Sequence, residues 1–215
     1  MIVSMWMARD LVTIGPDTGV SEAAMLMARK RIRRLLIVDT KPDGLHLLGI
    51  LSAKDVLHAF PPNVNPFSVE VSGDKPVRFT VNEIMSREVR TTTPDTPIEE
   101  AAAFMCDHKI GALPVVRAGK LIGIITESDI FRAFVSLFSA EGAGARITFD
   151  ATKGEDVFSL IADFATRDGV KVISLISTEE ENRPVCVVRI TGTAVDAVLD
   201  DLWRSGHLVL NVLRY

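Results

Sequence analysis

Gly49-Ile50-Leu51-Ser52-Ala53-Lys54-Asp55 and Gly123-Ile124-Ile125-Thr126-Glu127-Ser128-Asp129 lie 74 residues apart and share one pattern. Each has a glycine, two apolar residues, a hydroxyl and, three positions later, a carboxylate. An apolar run that ends on a hydroxyl reads as a strand delivering an N-cap, whose oxygen accepts a backbone N–H that the next helix leaves unpaired. Upstream, a shift of 78 lays Pro16-Asp17-Thr18 on Pro94-Asp95-Thr96 and Glu22-Ala23-Ala24 on Glu100-Ala101-Ala102, with ten identities in the 23 positions 16–38. The change of shift removes four residues from the second copy (78 − 74), between the aligned blocks, where a hairpin loop tolerates loss best. An internal repeat organises most of the chain.

Each copy reads as β–α–β–β–α. A short extended stretch (12–14; 89–92) leads into Pro-Asp-Thr, and a helix follows over 20–31 and 98–109 with apolar residues at helical spacing. Asp17 or Thr18, and Asp95 or Thr96, are the predicted caps of that helix. Two apolar strands come next, 35–38 with 47–51 and 113–116 with 121–125, and a second helix begins near Asp55 or Asp129. Neither copy is expected to bury its own sheet face alone, so the pair should pack as one domain.

Beyond Phe138 the pattern changes. Ser139 to Gly144 is small and Gly-rich, a predicted hinge. Strands at 146–151, 170–177, 185–191 and 208–213 then alternate with helices at 156–167 and 194–204 in the order β–α–β–β–α–β of a ferredoxin-like unit. The fold class is α+β: two β-α-β-β-α units packed as a pair, then the ferredoxin-like unit. The boundaries predicted are 1–60 for the first copy, 61–80 for a Pro-rich connector, 81–138 for the second copy, 139–144 for the hinge and 145–215 for the last unit.

Composition limits the function classes. Of 215 residues, 47% are hydrophobic and 24% charged, which excludes a disordered chain. A net charge of −4 argues against a nucleic-acid binder, which needs a basic face. No apolar run approaches the ~18–20 residues of a membrane span, and the first ten residues do not form a signal peptide; the cytoplasm is the expected compartment. Cys106 and Cys186 have no metal-like spacing and are predicted to be small core residues. His46, His58, His108 and His207 do not cluster, no metal site is expected, and no nucleophile–base arrangement suggests an enzyme. Met5, Met7, Met25 and Met27 are read as packing residues, Trp203 as core or interface, and Glu179-Glu180-Glu181 as a solvated run in a turn.

The two Gly-h-h-[Ser/Thr]-x-x-Asp segments, with Gly111-Ala112-Leu113-Pro114-Val115-Val116, resemble a tandem pair of CBS domains, or Bateman module. Copy one departs from the pattern in having Leu36 where copy two has Pro114. The last unit resembles an ACT domain through its strand order and its Lys153-Gly154-Glu155-Asp156 turn. The order CBS–CBS–ACT is similar to that of bacterial acetoin-utilisation regulatory proteins, which implies a link to acetoin or acetate metabolism.

The resemblance implies an adenosyl ligand (AMP, ADP, ATP or S-adenosylmethionine), bound as a regulator rather than as a required cofactor. Asp55 and Asp129 would accept the ribose hydroxyls, with Ser52 and Thr126 facing ribose or phosphate. Thr13 and Thr91, equivalent under the shift of 78, would lie beside the nucleotide, and Ile110, Gly111, Ala112, Leu113 and Pro114 would form the wall for the base. Ser-x-x-Asp is also a plain capping box, which stabilises a helix by ~1 kcal/mol with nothing bound. Arg29-Lys30-Arg31-Ile32-Arg33-Arg34 places five cations in six positions at a helix end, where they complement its dipole. Arg33 and Arg34 could instead reach phosphate in the cleft between copies, with His108 and Lys109 as the weaker counterparts. In ACT domains small ligands sit near the first strand–helix turn, here Gly154, Glu155 and Asp156; a unit used only to dimerise is the other reading. Two functions follow: an adenosyl-sensing regulatory homodimer acting on a partner metabolic enzyme, or a dimeric scaffold that regulates its partner without bound nucleotide.

Overall fold

The computed structural model describes residues 1–62, 64–67, 79–138, 142–152 and 156–215. Residues 68–78 of the connector, residues 139–141 of the hinge, and Lys153, Gly154 and Glu155 lie outside the described residues. The chain divides into two units, Met1–Ala133 and Phe134–Tyr215.

In the first unit, copy one comprises β1 (Thr13–Ile14), α1 (Val20–Lys30), β2 (Arg34–Lys41), β3 (Gly44–Ser52) and α2 (Ala53–Ala59). Its sheet has the order β1-β2-β3, with β1 parallel and β3 antiparallel to β2. A short α3 (Val81–Ile84) precedes copy two, which comprises α4 (Ile98–His108), β4 (Ala112–Arg117), β5 (Lys120–Thr126) and α5 (Glu127–Phe138), whose residues from Phe134 on belong to the second unit. The strand predicted at 89–92 shrinks to one bridge, Thr92 to Val115. Side chains at helical spacing on α1, Val20, Ala23, Ala24 and Met27, pack on Leu35, Ile37 and Leu51 of the sheet. A second cluster forms where the copies meet: Leu36, Val38 and Leu121 are buried with Ile50 and Ile124 against them.

The repeat extends further upstream than its Pro-Asp-Thr blocks. Val3 and Val81, Met7 and Met85, and Arg9 and Arg87 are also 78 residues apart, and these segments change places in the fold. Ala8, ahead of copy one, bridges Ile124 of copy two, while Ser86, ahead of copy two, bridges Ile50 of copy one. The same exchange satisfies the helix N-termini. The first N–H of α1 donates to Phe79 O at 3.0 Å, and that of α4 donates to Met1 O at 3.1 Å. This corrects the predicted caps. Gly19 and Pro97 occupy the N-cap positions without a side-chain bond, so Asp17, Thr18, Asp95 and Thr96 do not serve there; the exchanged backbone supplies the acceptor instead.

In the second unit β6 (Gly144–Asp150), α6 (Val157–Asp168), β7 (Lys171–Glu180), β8 (Arg183–Thr191), α7 (Val195–Arg204) and β9 (Val209–Arg214) follow in that order. The sheet order is β7-β8-β6-β9, antiparallel throughout, with the first and third strands of the unit in the middle. Ile147, Phe149, Val188 and Ile190 on one sheet face pack against Ile161, Phe164, Val198 and Leu202 of the helices. The other face carries Arg146, Thr148, Val187 and Arg189, at alternate positions of β6 and β8.

Several predicted burials are corrected. Cys106 is exposed, because it lies one residue past Met105 and so about 100° round α4 from the core stripe. Met7 and Met27 are buried but Met5 and Met25 are 66% and 52% exposed, since a spacing of two places neighbours on different faces. Of the two readings of Trp203, core or interface, its 63% exposure removes the first and leaves the second open. Glu179 and Glu180 end β7, and the turn is the two-residue Glu181-Asn182, both at positive φ, as a tight hairpin requires.

The exchanged segments explain the glycine that opens each repeated motif. A Cβ on Gly123 would stand 2.6 Å from Met7 Sδ and 3.1 Å from Ala8 O; on Gly49 it would stand 2.6 Å from Met85 Sδ and 3.0 Å from Ser86 O. Gly123→Ala and Gly49→Ala should therefore each destabilise the first unit by about 1–3 kcal/mol, the cost of overpacking, read as a lower midpoint in urea. The cysteines supply a second check. Burial pushes the Cys186 thiol up to about 11, so a thiol reagent should label Cys106 in the native chain and reach Cys186 only on unfolding.

Candidate nucleotide clefts

Both repeated motifs form the same hydrogen-bonded corner. Ser52 N and Ser52 Oγ donate to Asp55 Oδ2 at 2.7 and 2.6 Å, and Asp55 N donates back to Ser52 Oγ at 3.2 Å. In copy two, Thr126 N and Thr126 Oγ1 donate to Asp129 Oδ2 at 2.8 and 2.6 Å. Each carboxylate thus spends one oxygen on holding the strand-to-helix turn. The second oxygen distinguishes the copies. Asp129, buried at 4% exposure, pairs through Oδ1 with Arg132; Asp55 Oδ1 has no partner among the described residues. Position 132 corresponds to His58 in copy one, which forms no such pair.

Each corner opens on a cleft built from both copies. The cleft at Asp55, about 500 Å³, takes Ile50, Ser52 and Asp55 from copy one, and Val89, Arg90 and Lys109–Ala112 from the second half of the repeat. The cleft at Asp129, about 290 Å³, takes Ile124, Thr126 and Asp129 from copy two, and Leu11, Val12 and Arg31–Arg34 from the first half. The cause is the exchange of upstream segments, which bridges Ala8 to Ile124 and Ser86 to Ile50 of the partner copy's last strand and so leaves residues 10–12 and 88–90 along the clefts.

Ile110, Gly111 and Ala112, predicted as the wall for the base, thus face the carboxylate of the other copy. Leu113 and Pro114 are buried in β4 and line neither cleft. Thr13 and Thr91 also stand outside the two linings, which Val12 and Arg90, one residue away, occupy instead. His108 is exposed and turned onto its own helix, its Nδ1 2.9 Å from Phe104 O and its ring stacked on Phe104. Asp156 caps α6, its Oδ1 accepting from Phe158 N at 3.1 Å, and the hydrogen bond from Ser159 holds its carboxyl below the usual range. Arg31, Lys54 and Arg90 are lining residues that the sequence reading passed over. The available signal was Val3/Val81 and Met7/Met85, which carry the repeat back to the segments that cross.

Charge collects where the copies meet. Arg33 and Arg34 line both clefts, and the Asp55 cleft holds five cations (Arg33, Arg34, Lys54, Arg90, Lys109) against two acids (Asp55, Glu88). Burial depresses the pKa of Arg34, opposed by the attraction of Glu127, while repulsion from Arg33 adds to the depression. Gly111 makes this geometry possible: a Cβ there would clash with the Arg34 guanidinium and stand 2.8 Å from the Glu127 carboxylate. Arg31 and Lys109 end α1 and α4 in the left-handed conformation, at φ 54° and 52°. Glycine is the relaxed residue for that position, and a non-glycine there costs roughly 1–2 kcal/mol. A cation is held in strained backbone at the rim of each cleft. A carboxylate oxygen, a small apolar wall and a set of guanidinium and ammonium groups suit a ligand with a diol, a flat base and an anionic group. No group of three or more His, Cys, Asp or Glu side chains that could hold a metal ion is found among the described residues.

Comparison with known proteins places this geometry in a family. The CBS domain matches residues 3–62 and 81–136, beginning in both copies at the exchanged valine. The chain spans 40% of the length of the curated relatives it matches, such as inosine-5'-monophosphate dehydrogenase of Staphylococcus aureus, 32% identical over 212 residues that are 92% of this chain. Among solved structures, the acetoin utilization protein AcuB of Vibrio cholerae is 32% identical, with a TM-score of 0.53 over 64% of this chain and 93% of that one. The CBS-domain pair of protein MJ0100, in complex with 5'-methylthioadenosine and S-adenosyl-L-methionine, is 28% identical, with a TM-score of 0.52 over 63% and 97%. CBSX2 in complex with AMP is 28% identical, with a TM-score of 0.53 over 64% and 98%. Paired CBS domains are regulatory modules without catalysis of their own, and this chain belongs to the CBS-domain family, with a further α+β unit after its pair.

Proposed function

We propose that the CBS pair binds an adenosyl ligand and that the Asp55 cleft is the site filled first. One observation carries this reading: in a single cavity of about 500 Å³, an Asp55 Oδ1 without a partner among the described residues, the small wall Ile110-Gly111-Ala112 and the cations Arg33, Arg34 and Lys109 face one another. Asp55 Oδ1 accepts a ribose hydroxyl without breaking an existing contact. At Asp129 the same step displaces Arg132 and has a smaller cleft to work in. Ligands with phosphate or another anionic group gain from the five cations; 5'-methylthioadenosine, which has none, relies on base and ribose. The AMP and S-adenosyl-L-methionine complexes of similar CBS pairs support this choice of probes.

The test is calorimetric titration of the full chain with AMP, ATP and S-adenosylmethionine. Saturable binding should weaken at least tenfold in Asp55→Ala and much less in Asp129→Ala. Because removing the cap also costs ~1 kcal/mol of stability, the affinity and not the melting midpoint is the readout. Absence of binding at millimolar ligand, or equal loss in both variants, overturns the proposal.

The second unit is proposed to act as an ACT-like dimerisation unit, so that the protein works as a homodimeric regulator of a partner enzyme. The AcuB likeness supports acetoin or acetate metabolism as the setting. Exposed apolar side chains of the second unit, Phe158 on α6 and Trp203 on α7, support association. Light scattering should give a mass twice the 23.5 kDa of the chain; a monomer at all concentrations rejects the dimer.

A further inference from the structure

The face of the second unit's sheet opposite α6 and α7 carries two arginines side by side. Arg146 of β6 is the direct cross-strand partner of Arg189 of β8, and Ser174 of β7 is the partner of Arg189 on its other side. Like charges directly opposite in an antiparallel pair repel and destabilise it. Neither guanidinium has an acidic partner among the described residues, and Arg146 has no hydrogen bond there. Glu179 lines an adjoining hollow and pairs with neither.

Arg189 is nevertheless held in place. Its Nε donates to Tyr215 Oη at 2.9 Å, its guanidinium lies 4.4 Å from the centre of the Tyr215 ring, and its Nη1 donates to Phe138 O. Tyr215 Oη in turn donates to Ile190 O at 3.2 Å. A cation fixed against a like charge, with no counter-ion among the described residues, is arranged for an anion from outside. The two arginines and Ser174 edge a hollow of about 360 Å³ whose other walls are Phe138, Ile176 and Val187.

We propose that this hollow binds a small aliphatic carboxylic acid, and in particular a 2-oxo acid. The carboxylate matches the guanidinium fork, the hydrocarbon body covers Ile176 and Val187, and the Ser174 hydroxyl is the donor available to the oxo group. The corresponding amino acid is disfavoured because no acid among the lining residues receives its ammonium group. The site is separate from the adenosyl clefts and does not rest on that reading.

The probe is 4-methyl-2-oxopentanoate, titrated calorimetrically into the full chain, with leucine and inorganic phosphate as comparisons. The oxo acid should bind saturably at one site per chain, with leucine and phosphate at least tenfold weaker. Arg146→Gln and Arg189→Gln should each weaken it tenfold or more, and Arg146→Lys should recover part of the loss. Arg146→Gln relieves the repulsion, so its thermal midpoint without ligand should equal or exceed that of the parent chain, which separates lost binding from lost folding. Absence of saturable binding, binding unchanged in Arg146→Gln, or leucine binding as well as the oxo acid overturns the proposal. So does a change of oligomeric mass in Arg146→Glu, which would make this face an interface between copies.

Discussion

Backbone exchange between the repeats is the constraint on which the first unit depends. Residues 1–8 lie on copy two and residues 79–86 on copy one, and each segment does two things at once. Its carbonyl accepts from the first N–H of the partner's helix, Met1 O from α4 and Phe79 O from α1, and it lays a methionine over the partner's motif glycine. An unpaired helix N–H in a buried setting costs of order 1–3 kcal/mol, so the exchange settles an obligation that a side-chain cap would otherwise meet. Neither copy is complete without a piece of the other.

The clefts follow from that exchange. Because Ala8 and Ser86 bridge the partner's last strand, each carboxylate faces a wall from the opposite copy, and Arg33 and Arg34 between the copies are shared. Arg34 marks the junction. It lines both clefts, stands over Gly111 and faces Glu127. The pseudo-symmetry is broken by single residues. Arg132 occupies one Asp129 oxygen where His58, its counterpart, leaves Asp55 Oδ1 without a partner among the described residues, and so a near-repeat in sequence yields two unequal clefts.

The second unit shows a different economy. One sheet face is closed by α6 and α7 over Phe149 and Ile147, while the other retains Arg146 opposite Arg189. The hydrophobic face has an evident folding role. The paired arginines have none, and the Tyr215 ring and hydroxyl that hold Arg189 preserve a repulsive arrangement rather than relieve it. Such local conflict with sheet stability is where a functional surface is expected.

Most of the elements were legible in the residues, because apolar periodicity of 3.6 or 2 is a local property and a repeated pattern doubles the signal. The Ser52–Asp55 and Thr126–Asp129 corners were legible for the same reason: a capping box closes within four residues. Partnership across long separations was not. That Ile110 and Gly111 serve Asp55 rather than Asp129, that Met1 and Phe79 cap helices in place of Asp17 and Asp95, and that Arg146 meets Arg189 all depend on which segment crosses to which strand. No local preference encodes that choice. Local sequence determined the helices, the strands and the turn-forming corners; tertiary packing decided which corner faces which wall, because burial of the strand faces and satisfaction of the helix N–H groups are met only when both copies are assembled together.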